Sequence, residues 1–66
     1  MAKSYEVIER VGTSTESICD AASSVVSEAH QEKPVAWFKI LEQRGRVTEE
    51  GKPEFQVIVE IGRKIS

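Results

Sequence analysis

AWFKILEQRGRVTEEGKPEFQVIVEIG, residues 36–62, reads as two strands joined by a turn, and this hairpin decides the fold. In its second half Phe55, Val57, Val59 and Ile61 fall on alternate positions and make one apolar face. Gln56, Ile58 and Glu60 make the other. In its first half strict alternation puts Ala36, Phe38 and Ile40 on one side, and Val35, Trp37, Lys39 and Leu41 on the opposite side. The two strands are expected over residues 35 to about 47 and about 54 to 65. Gly51 suits the turn between them, and Pro53 suits a strand entrance, where a missing amide is tolerated.

Upstream, KSYEVIERV (residues 3–11) reads as a further strand, with Tyr5, Val7 and Val11 on one parity, Ile8 on the other, and Gly12 as its end. GTSTES then opens a helix. Thr13 with Glu16 fits a capping box, and Ser14 is a rival cap. Ile18, Ala22, Val25 and Ala29 form one helical stripe flanked by Ala21 and Val26. Glu16 and Asp20 near one end, and His30 and Lys33 near the other, match the helix dipole, and Pro34 prevents continuation. The order is β-α-β-β, an α+β fold of one helix and a three-stranded antiparallel sheet, in a single domain over residues 1–66 with no repeat or linker.

A chain of 66 residues buries only roughly 60% of its unfolded surface, so its core is a marginal source of stability. Small domains usually add a staple. With one cysteine, Cys19, no intrachain disulfide can form, and no zinc or calcium spacing is present. Association with further copies is the remaining route. The formal net charge of −2 argues against a general nucleic-acid binder. No apolar run approaches the roughly 20 residues of a membrane span. MAKSYEV has no hydrophobic signal region, and a free cysteine suits a reducing cytoplasm.

One helix can cover one face of the sheet, and Phe38, Ile40, Phe55, Val57, Val59 and Ile61 are its expected lining. Trp37, Leu41, Gln56 and Ile58 then lie on the uncovered face, and an exposed apolar patch of this kind marks a partner or ligand surface. Trp37 is either an anchor between subunits or a stacking platform for a planar ligand. Gln56 is either a polar strand residue or a reader of an imide-like edge, since a carboxamide offers an acceptor beside two donors. Arg44 suits phosphate or a solvated sheet edge. Alternation puts it on the Phe38 side, so either a bulge near Gly45 changes the parity or Arg44 serves a neighbouring subunit. Val35 shares the parity of Trp37. Cys19 reads as a small buried thiol and His30 as a helix-end residue. Nothing assembles an acid, a base and a nucleophile, so no catalytic residue is expected.

The opening YEVIERVGTS, the WF at 37–38, the RG at 44–45, and FQV with VEIG in the last strand together resemble the dodecin family of small flavin-binding proteins. The resemblance spans nearly the whole chain. It implies a sheet wrapped around the helix, a hollow dodecameric shell, and flavins held in pairs at subunit contacts between tryptophans of two-fold related chains. It implies a non-enzymatic protein that stores, sequesters and photoprotects flavin, FMN or riboflavin, with Trp37, Gln56, Arg44 and Val35 as the cofactor-binding set and no metal. The nearby basic residues favour FMN. The rivals are a ligand-free oligomeric scaffold with Trp37 as its anchor, and a flavin-dependent reductase. The family usually carries Gly-Phe and then a basic residue near its C-terminus. Here Gly62-Arg63-Lys64 stands instead, a departure that bears on local packing and on any phosphate contact there. The missing staple and the uncovered face predict a closed, high-order oligomer. Sedimentation at micromolar concentration should show neither a folded monomer nor a folded dimer.

Overall fold

A computed structural model describes residues 3–65. Strand β1 (Tyr5–Ser14) leads into helix α1 (Ile18–Glu32), followed by β2 (Val35–Val47) and β3 (Pro53–Lys64). The sheet is antiparallel in the order β1-β3-β2, so the last strand is central. The hairpin turns through Thr48, whose carbonyl accepts from Gly51 N at 2.9 Å. Gly51 has φ of 81°, the left-handed region that glycine enters without a Cβ penalty. The turn and the entrance of β3 at Pro53 agree with the sequence reading.

The core is narrow. Val57, Val59 and Ile61 on β3 are buried against Ala21, Ala22, Val25 and Ala29 of the helix, with Ile8, Ile18, Val26 and Val35 packed around them. The alanines let the helix approach closely, and Gly12 completes the fit. A Cβ on Gly12 would overlap the carbonyl oxygen of Ala21 and stand 2.9 Å from Val25 Cγ1. Gly12 therefore does not end β1 as expected. It stays paired with Val57 inside the strand, which continues to Ser14 opposite Phe55. The helix consequently starts later than the Thr13 and Glu16 box implied. Its N-cap is Ser17, which accepts from Asp20 N at 2.9 Å. Ser14 Oγ supports the preceding turn, accepting from Glu16 N at 2.9 Å and donating to Asp20 Oδ2 at 2.6 Å. The other end is as expected, with Lys33 closing the helix before Pro34.

Length decides what the helix cannot reach. Fifteen residues of helix span about 22 Å, whereas the thirteen residues of β2 span about 43 Å. The chain measures 53 × 19 × 14 Å, and the hairpin overhangs the helix. The helix packs mainly over β1 and β3. Phe38 and Ile40 pair with Ile61 and Val59 and so share the helix side, but Phe38 is 52% exposed and Ile40 is exposed as well. Their expected place in the core is corrected by this mismatch.

The helix side also carries a chain of alternating charges. Arg63, 8% exposed, donates from Nε and Nη2 to Glu6 Oε1 at 3.0 and 2.6 Å, and from Nη1 to Glu32 Oε1 at 3.1 Å. Glu32 also accepts from Arg10 at 2.8 Å, Arg10 reaches Glu28 at 3.3 Å, and Lys33 lies 3.6 Å from Glu6. The departure at position 63 thus replaces an expected aromatic with an ionic tie between β1, α1 and β3. The Arg63 guanidinium holds the Glu6 carboxyl below its ordinary value of 4.5. Arg10 first, and then Arg63, does the same for Glu32. In this range the folded state binds fewer protons than the unfolded chain. The contribution to stability is complete above about pH 4.5 and is lost as pH falls through the lowered folded values. Urea midpoints followed downward from neutral pH should fall in that window, and Arg63→Met should flatten the fall.

Candidate functional site

The face of the sheet turned away from the helix is built in rows across the three strands. Val7, Gly62 and Trp37 form one row, and Glu9, Glu60 and Lys39 the next. Val11, Ile58 and Glu42 follow, and then Thr13, Gln56 and Arg44. Two bulges in β2 create this alignment, one between Val35 and Trp37 and one between Ile40 and Glu42. Each extra residue reverses the parity of the strand beyond it.

The first bulge separates Val35 from Trp37. Val35 pairs with Arg63 and packs against the buried cluster, so it lies on the helix side rather than on Trp37's face, where alternation had put it. Its N–H donates to His30 Nδ1 at 2.9 Å, which pins the start of β2 to the end of the helix. His30 is thus the helix-end residue expected of it. Trp37 pairs with Gly62 and stays 40% exposed. Its indole occupies the space above the glycine that a side chain would fill. Sequence reading did not single out Gly62 as that seat. The available signal was a glycine inside an otherwise apolar strand, which marks a close approach.

The second bulge, at Leu41 rather than near Gly45, brings Arg44 onto the Gln56 face. Arg44 Nε donates to Gln56 Oε1 at 3.2 Å. That bond turns the carboxamide so that its NH₂ group, with two hydrogens to donate, remains available. The rest of the Arg44 guanidinium is exposed, with Glu42 Oε1 at 3.9 Å. By contrast the Arg63 guanidinium is committed to Glu6 and Glu32 on the opposite side of the sheet. Gln56 stands six residues along β3 from Gly62, so about 20 Å separates the Trp37 row from the Gln56 row.

No pocket opens among the described residues of the single chain, and no group of three or more His, Cys, Asp or Glu among them could hold a metal ion. No described helix is long and apolar enough to cross a membrane. Cys19 is exposed rather than buried, because its position turns it away from the Ala22 and Val25 stripe.

An exposed aromatic ring, an oriented carboxamide and a largely exposed guanidinium on an open sheet face are the equipment of a binding module. The family comparison agrees: the dodecin model matches residues 4–66, and the chain belongs to the dodecin family, whose members are non-enzymatic flavin-binding proteins. A dodecin of Thermus thermophilus is 35% identical over 66 residues, covering 98% of this chain and 96% of that one. The solved dodecin of Streptomyces davaonensis superposes with a TM-score of 0.88 at 27% identity, over 100% of this chain and 98% of that chain. A calcium-chelating dodecin of Mycobacterium tuberculosis, described with a novel calcium-binding site, gives 0.86 at 28% identity over 96% and 91%. Cys19, remote from the site, should be dispensable. Cys19→Ser should change stability by no more than about 0.5 kcal/mol and leave assembly and ligand binding intact, by thermal melts and sedimentation.

Proposed function

We propose that this protein stores and photoprotects a flavin at contacts between its subunits, with Trp37 stacking on the isoalloxazine ring. The observation that carries the reading is Trp37 itself, held on the sheet face that the helix leaves open and 40% exposed. Indole is large, planar and electron-rich, and suits a flat conjugated ring. In its own row Val7 is apolar and exposed, and beyond the charged row of Glu9, Glu60 and Lys39 come Val11, exposed, and Ile58, half-buried. Such a surface calls for cover by further copies of the chain. We take the assembly to be the family's dodecamer.

Gln56 fits the polar edge of the ring. Oε1, which accepts from Arg44, keeps a second lone pair for the imide N–H of that edge, and the amide hydrogens suit a flanking carbonyl oxygen. About 20 Å separates Gln56 from Trp37 along one chain, more than the length of a three-ring system. A ring touching both therefore takes Trp37 from one chain and Gln56 from another. The exposed guanidinium of Arg44 suits a phosphate, which favours FMN over riboflavin. Val35, turned toward the helix, serves the site by anchoring the start of β2.

A bound flavin brings a chromophore that becomes a strong oxidant on absorbing light. The Trp37 indole in contact with it would quench that excited state by reversible electron donation, with no net reaction. A ring covered on its faces leaves a substrate no approach, which separates this reading from a reductase. Cytoplasmic storage fits the free thiol of Cys19.

The test compares two substitutions in protein that still sediments as the full oligomer. Aromatic stacking is worth about 1–3 kcal/mol per base in nucleic-acid complexes. With two symmetry-related rings at each contact, Trp37→Ala should weaken flavin binding about a hundredfold or more and restore flavin fluorescence. Gln56→Ala should cost about 0.5–1.5 kcal/mol and keep the quenching at saturation. If Trp37→Ala binds and quenches as the parent does, Trp37 is only an interface anchor and the flavin reading fails.

A further inference from the structure

Gly62 stands at the middle of its row on the central strand, between Val7 on β1 and Trp37 on β2. Glycine is a poor choice for a strand interior, because it loses much backbone freedom on folding and offers no side chain to pack. Its backbone does not call for it here. Among the described residues only Gly51 has a positive φ, so position 62 has a conformation that any residue can adopt. The requirement is steric, and it comes from one side chain. A Cβ on Gly62 would overlap Cε2 and Nε1 of Trp37 and stand 2.6 Å from Cζ2. All three nearest atoms belong to the indole. Gly45 differs, since its nearest neighbour is the Glu54 carbonyl oxygen at 3.3 Å.

The two sides of this contact do not yield equally. Gly62 is buried on the central strand, paired with Val7 on one side and Trp37 on the other, so the floor under the indole is fixed. Trp37 sits on an edge strand directly after a bulge and is the part that would move. A methyl group at position 62 would lift or swing the ring. Even a gap of about 0.5–1 Å forfeits a quarter to a half of a dispersion contact.

We propose that Gly62 is a positioning residue of the flavin site, setting how low the Trp37 ring lies on the sheet and so the width of the slot between subunits. The proposal rests on the flavin reading for its functional meaning, and on the Gly62–Trp37 contact for its physical content. Gly62 touches the ligand only through the indole, so its effect must vanish when the indole is removed.

The experiment uses the full-length protein in four forms: parent, Gly62→Ala, Trp37→Ala and the double variant. Trp37 is the only tryptophan, so near-ultraviolet circular dichroism and indole emission report on it alone, without any flavin. Gly62→Ala is expected to change both signals and to weaken FMN and riboflavin binding about tenfold or more, the loss of roughly one good stacking contact. In the Trp37→Ala background, Gly62→Ala should leave assembly and thermal midpoint unchanged or improved. Should Gly62→Ala fail to assemble while the double variant assembles, the clash with the indole is established directly. The proposal is overturned if Gly62→Ala leaves the indole signals and flavin affinity as in the parent. It is equally overturned if Gly62→Ala is as damaging without the indole as with it. A parent protein that binds no flavin would sink the flavin reading, and the indole signals would still decide whether Gly62 seats the ring.

Discussion

A short helix laid across a long hairpin is the constraint on which the rest of the molecule depends. α1 covers β1 and β3 where its alanines meet Val57, Val59 and Ile61, and it reaches little of β2. The close seat formed by Gly12 under Ala21 and Val25 fixes that position and leaves no freedom to slide toward β2. Phe38 and Ile40 on the helix side of β2 are exposed as a result, whereas Tyr5, Val7 and Val11 are exposed because they stand on the opposite face of β1. A sheet with two such edges and one uncovered face is half of an interface.

Within so small a core, the ionic chain through Arg63 does what a further apolar residue would do elsewhere, but by other physics. Burying a guanidinium costs desolvation, and the three hydrogen bonds it gives to Glu6 and Glu32 offset that cost. The carboxylates remain partly solvated, which limits the net gain. What the chain supplies is registry, because Glu6, Arg63 and Glu32 belong to β1, β3 and α1 and meet only in this arrangement. Its location also matters. Arg63 faces the helix, so the departure from Gly-Phe leaves the opposite face, where Gly62 and Trp37 meet, unchanged.

That opposite face has the character of a binding surface rather than of a reaction centre. Its polar members are spaced and tied, as Arg44 is to Gln56, instead of being gathered into an acid and a base in contact. Its aromatic member is supported from below and free to be met from outside. Binding energy on such a face comes from stacking and exclusion of water once a second surface closes over it.

Element order, the extent of β2, the glycine turn and the apolar stripe of the helix were legible in the sequence, since each follows from local periodicity or from the chemistry of glycine and proline. So was the importance of Trp37, a large ring on a face that one helix could not cover. The start of the helix was misread because Thr13, Ser14 and Ser17 are all competent caps, and only the pairing of β1 with β3 decides which is used. Alternation is a local rule, and it failed at Val35 and Arg44 because a bulge depends on the partner strand. Two insertions in β2, invisible without β3 beside it, turned Val35 toward the core and brought Arg44 to Gln56. The sequence by itself determined which residues can stack, donate or pair. The tertiary structure decided which of them share a face, because register is set by contacts between strands distant in the chain.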